Sequence, residues 1–98
     1  MAQVVRWFLG HWNGRLPCTF AFGAINHQSV VLVSASEGRD PTTSQAPERF
    51  VGAANVTVHN IAPFDGGVSF LLTVDWDDPL PIWADIVVLD EFPQGFAR

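Results

Sequence analysis

Val68-Ser69-Phe70-Leu71-Leu72-Thr73-Val74-Asp75-Trp76 is the stretch whose reading decides the fold. Val68, Phe70, Leu72, Val74 and Trp76 share one parity, while Ser69, Thr73 and Asp75 share the other. Successive side chains of a strand point to opposite faces, so this is the pattern of a half-buried β-strand. A helix would scatter the same five apolar residues around its circumference. Asp65-Gly66-Gly67 stands just before the run. Glycine adopts positive φ without steric cost, so these residues read as a tight turn.

Working outward, 55–61 repeats the pattern, with Val56 and Val58 facing in and Thr57 and His59 facing out. The two runs flank Ala62 to Gly67, which predicts a hairpin or an inter-sheet corner there. Downstream, the connector Asp77-Asp78-Pro79-Leu80-Pro81 reads as a loop, because proline cannot donate to a ladder. The run 82–89 then sets Ile82, Ala84, Ile86 and Val88 against Trp83, Asp85, Val87 and Leu89. Both sides are rather apolar, as suits a central or covered strand. Upstream, 4–12 reads as a strand, Asn13-Gly14 as the favoured two-residue hairpin pair, and 16–22 as its partner. The β-branched run 29–36 is another strand, and 50–54 is a candidate edge strand. Residues 37–48 carry no periodic apolar positions and read as a long, mobile loop. Phe92 and Phe96 are candidates to dock a C-terminal tail.

The expectation is therefore an all-β chain, one domain over 1–98. It is a small antiparallel β-sandwich of six or seven strands, compatible with an immunoglobulin-like or fibronectin-like topology, with a small barrel as the alternative. The Cys-Trp-Cys spacing of immunoglobulin domains is absent, since Cys18 is the one cysteine. A chain of 98 residues can hold a core without a disulfide. Cys18, in a strand with Phe20 and Phe22, reads as a buried structural thiol.

Composition narrows the partners. Charged residues make up 15%, well under the roughly 25% of ordinary domains. Lysine is absent, and ten acidic residues against five arginines give a net charge of −5. That balance disfavours nucleic acid and anionic membrane, and the opening twelve residues are too short an apolar stretch to insert in a bilayer. They also lack a basic start and a cleavage site, which gives the expectation of a cytoplasmic protein, export by other routes left open. So thin a coat of charge leaves room for an apolar contact patch.

No catalytic signature is present. His11, His27 and His59 lack metal-ligand spacing, and neither a nucleophile elbow nor a phosphate loop occurs. The expectation is a non-enzymatic interaction module, a homo-oligomer or a binder of a protein partner through an apolar and aromatic surface. Two other readings accompany it. Among four tryptophans, Trp7 and Trp76 fit the core, whereas Trp12 and Trp83 are the candidates for exposure. With Asn13 and Asp85 they would make a carbohydrate-binding surface, an indole stacking on a sugar ring beside short polar groups. Asp75, Asp77 and Asp78 are candidate calcium ligands, calcium taking six to eight oxygens. Capping of the turn before Pro79 explains Asp77 and Asp78 more simply.

Overall fold

The computed structural model describes residues 2–41, 49 and 51–89. Six strands follow one another: β1 (Ala2–Trp12), β2 (Gly14–Ala21), β3 (Val30–Glu37), β4 (Asn55–Phe64), β5 (Gly67–Asp75) and β6 (Leu80–Leu89). They form two antiparallel three-stranded sheets, β1-β6-β3 and β2-β5-β4, packed face to face as a sandwich rather than closed as a barrel.

Alternation does the work that the sequence assigned to it. On β5, Val68, Phe70, Leu72 and Val74 are buried, and across the sandwich so are Ile82, Ala84, Ile86 and Val88 of β6. These two central strands supply most of the core. Burying side chains of this size contributes on the order of 1.5–3 kcal/mol each. Trp7 of β1 fills the interior beside them, its ring 4.9 Å from Phe20 and 6.4 Å edge-on from Phe70.

The connections depart from expectation at several points. Leu80 and Pro81, expected in the loop 77–81, open β6 and pair with Trp12 and His11 of β1, a proline being tolerated at the start of a strand. Asn13-Gly14 does not close a hairpin; β1 pairs with β6 and β2 pairs with β5, so the chain changes sheet at that dipeptide. Gly14 still uses the positive φ that its sequence advertises, 78°. A type I′ turn would need positive φ at Asn13 as well, which Asn13 does not adopt, so the corner has its own backbone geometry and leaves each strand free to pair in a different sheet. The Asp65-Gly66 turn is a true hairpin between β4 and β5, pairing Phe64 with Gly67, and Gly66 has φ 104°. Residues 51–54 form no strand, and β4 begins at Asn55. Glu37, expected in the loop, is the last residue of β3, and Gly38 bridges to Arg49. The expected mobility of 42–48 and the docking of Phe92 and Phe96 lie outside the described residues.

Each end of the sandwich is stitched by a loop contact. At one end Ile25 is buried as a plug, its carbonyl accepting from the Gly66 N–H at 2.8 Å, and Phe22 N–H donates to the Gly66 carbonyl at 2.8 Å. Asp65 accepts there from the His27 backbone at 2.9 Å and lies 2.8 Å from its ring Nδ1. At the opposite end the Asn13 side-chain amide donates to the carbonyls of Trp76 and Asp77, at 3.5 and 3.2 Å. One asparagine thus clamps both corners at that end.

Candidate interaction surface

The outer face of β1-β6-β3 is built from the odd-numbered positions of β6. Their register partners set it out in rows: Phe8, Trp83 and Ser36; Arg6, Asp85 and Ser34; Val4, Val87 and Leu32; Ala2, Leu89 and Val30. In the first two rows the central Trp83 and Asp85 are covered, whereas in the third Val4 and Leu32 stand exposed on either side of Val87.

Cover comes from the segment that leaves β3. The Trp83 indole N–H donates to the Arg39 carbonyl at 2.8 Å, and the Phe8 ring packs 4.9 Å away. The Arg49 guanidinium lies 5.9 Å above the indole, a cation–π distance. From there its Nη2 donates to Asp85 at 2.8 Å and its Nη1 to the Ser36 hydroxyl at 2.8 Å. Arg6 donates from Nε to the same Asp85 oxygen at 3.0 Å. His11 Nε2 sits 2.7 Å from the Asp40 carboxylate and packs its ring edge-on to Phe8, which ties down the near end of the cover.

Trp83, expected at the surface, is therefore only 7% exposed. Its face of the sheet does point outward, as alternation requires, but Gly38 to Asp40 and Arg49 lie across it. Asp85 is likewise committed to two guanidinium groups. The carbohydrate reading that joined Trp83 and Asp85 to Trp12 and Asn13 is not assembled: Trp12 and Asn13 stand at the Asn13-Gly14 corner, and Asn13 spends its amide on backbone carbonyls. Trp12 is exposed as expected, its indole N–H donating to the Leu9 carbonyl. It borders an open groove of about 260 Å³ floored by Trp7, Leu9, Leu16 and Cys18. Burial pushes the Cys18 thiol up, as fits an inert side chain. Trp76, expected in the core, is 44% exposed, because β5 ends at Asp75 and the chain has begun to cross to the other sheet. Asp75, Asp77 and Asp78 are all exposed around that crossing, and among the described residues no three acidic, histidine or cysteine side chains gather as metal ligands.

The bare half of the face is aliphatic. Val4 is 65% and Leu32 55% exposed, one on each side of Val87. No charged residue occupies either of the last two rows.

No protein-family model matches the chain, and no curated protein does either. Among solved structures, it is similar to the P. aeruginosa R1 pyocin fiber comprising C-terminal residues 323–701, with a TM-score of 0.57 at 13% identity. The similarity covers 89% of this chain and 22% of that one. At that identity the likeness is one of fold: an all-β domain of this size and layering also occurs as a fraction of a fiber. No helix among the described residues is long and apolar enough to cross a membrane.

Sequence reasoning placed the apolar excess on β6 but missed its neighbours. Val4 and Leu32 were each one member of an alternating run, and nothing local shows that both flank Val87. The cover over Trp83 was missed for a related reason, since Arg49 reaches β6 from a stretch with no pattern of its own.

Proposed function

We propose that this chain is a non-enzymatic β-sandwich interaction module that buries the bare half of its β1-β6-β3 face against a second copy of itself. The observation that carries the reading is the row Val4–Val87–Leu32, whose flanking side chains stand open to solvent although the core is complete without them. A face like this is self-complementary in a two-fold pair, aliphatic rows meeting aliphatic rows at the usual spacing of stacked sheets.

Area decides how strong such a contact is. Two rows across three strands span about 200 Å² of sheet plane. A standard interface buries about 800 Å² per partner. One copy therefore meets another weakly, and the contact becomes effective where copies are held together in an array, as linkage raises effective concentration. The similarity to a portion of a fiber fits a module used in that way. The net charge of −5 adds long-range repulsion between copies while leaving the row itself uncharged, so added salt should strengthen association.

Sedimentation velocity over a concentration series, at low and high salt, tests the reading. We expect weak, salt-promoted self-association that Val4→Asp and Leu32→Asp each abolish without lowering the melting temperature. A strict monomer at the highest soluble concentration would overturn it. So would a melting temperature that falls on Val4→Asp, because the row would then be covered from within the chain.

A further inference from the structure

On the opposite side of the sandwich, the outer face of β2-β5-β4 carries a second, chemically different feature, independent of the aliphatic row. Arg15 of β2, Thr73 and Leu71 of β5, and His59 and Asn60 of β4 line one shallow depression of about 280 Å³. Register explains the gathering: Arg15 pairs with Thr73, and Leu71 pairs with His59.

Three observations converge there. The first is an uncommitted cation. Arg6 and Arg49 are bound to Asp85, and Arg39 is engaged, whereas Arg15 has no hydrogen-bond or ion-pair partner among the described residues. The second is an uncommitted imidazole. His11 is against Asp40 and His27 against Asp65, whereas His59 has no partner among the described residues. In a chain with ten acidic residues, no carboxylate among the described residues lines the place where these two groups meet. The third is backbone strain. Asn60, at φ 54°, is the non-glycine residue of positive φ among the described residues, and it sits where β4 loses register between His59 and Ala62. Residues held in that region concentrate at ligand sites, and the inference runs from the outlier to the function.

We infer that this depression is a binding site for a small hydroxylated carboxylate of the sugar-acid class. Arg15 supplies the planar fork that matches a carboxylate in two parallel hydrogen bonds. The Thr73 hydroxyl, the Asn60 amide and the His59 ring provide donors and acceptors for hydroxyl groups, and half-buried Leu71 gives a floor for the C–H face of a ring. The volume lies just under the roughly 300–1,000 Å³ of ordinary small-molecule sites, which limits the ligand to a single ring.

Amide-resolved NMR titration of the whole chain with glucuronate, glucose and acetate tests this. Glucuronate is expected to give saturable shifts centred on Arg15, Asn60 and Thr73, with glucose and acetate each at least about tenfold weaker, since each lacks one half of the recognised chemistry. Arg15→Gln is expected to weaken glucuronate at least about tenfold while keeping the melting temperature. Absence of saturable shifts, or shifts centred elsewhere, would overturn the assignment. Acetate or glucose binding as tightly as glucuronate would also overturn it, as would undiminished binding by Arg15→Gln.

Discussion

Gly67→Ala adds a single methyl group at the point where β5 leaves the Asp65-Gly66 turn, and the structure has no room for it. A Cβ built there would stand 2.4 Å from the Phe20 carbonyl oxygen and 2.7 Å from Phe64 Cζ. Ordinary contact begins near 3.4 Å, so β2 and β5 must part by about 1 Å at the Ala21–Gly67 pair. The ring of Phe64 is 39% exposed and can swing aside; the carbonyl belongs to the ladder and cannot. Over-packing of a tight interior costs about 1–3 kcal/mol, and a clash with backbone places this change at or beyond the upper end. Loss of about 3 kcal/mol lowers the melting temperature of a domain this size by more than about 10 °C. Urea unfolding with thermal melts is the assay, and Gly23→Ala is the control, because a Cβ at Gly23 meets nothing within 4 Å and should be near neutral. Removing the ring as well, in Phe64→Ala with Gly67→Ala, should recover little, since the carbonyl contact persists. A Gly67→Ala variant within about 1 kcal/mol of the parent would refute the argument that the β2–β5 ladder is rigid at this pair.

Two further outcomes follow from the ion pairs. Asp85→Asn leaves Arg6 and Arg49 without their shared carboxylate; Arg49 is mostly covered and Arg6 is half exposed. The expected loss is about 1–2 kcal/mol, seen as a melting temperature lower by several degrees, together with a red-shifted tryptophan emission as the cover lifts from Trp83. An unchanged melt and spectrum would show that Asp85 does not hold the cover down. For Asp65, hydrogen bonds from the His27 ring and backbone hold the carboxyl below the usual carboxylate range. A group depressed on folding stabilises above its unfolded value, about 4, and loses that contribution as pH falls through its lower folded value. Parent and Asp65→Asn should thus differ in melting temperature at neutral pH and converge under acid conditions; a difference that is constant with pH would refute the linkage.

How much was legible beforehand divides along the range of the interactions involved. Alternation is a property of one strand, so Val68 to Val74 and Ile82 to Val88 announced the buried faces, and with them the sandwich, from local pattern alone. Asn13-Gly14 announced a change of direction, because the backbone preference of those residues is local. Which sheet the chain entered next was not local, for it depended on β6 offering β1 a strand apolar on both faces some seventy residues away. The same distinction sorts the tryptophans. Trp76 kept the parity of a core residue but fell past the last ladder pair of β5, and parity has no meaning once pairing stops. Trp83 had the parity of a surface residue and was buried from outside by Arg39 and Arg49.

The candidate surfaces belong wholly to the second category. Val4, Val87 and Leu32 come from three strands, as do Arg15, Thr73 and His59, and each set exists only through register. The sequence by itself determined that strands form, where they turn, and which side of each strand is apolar, since these follow from side-chain direction and backbone preference within a few residues. Only the tertiary structure decided which strands are neighbours, which indoles are covered and which cations lack partners, because hydrogen-bonded pairing joins residues that the chain itself keeps far apart.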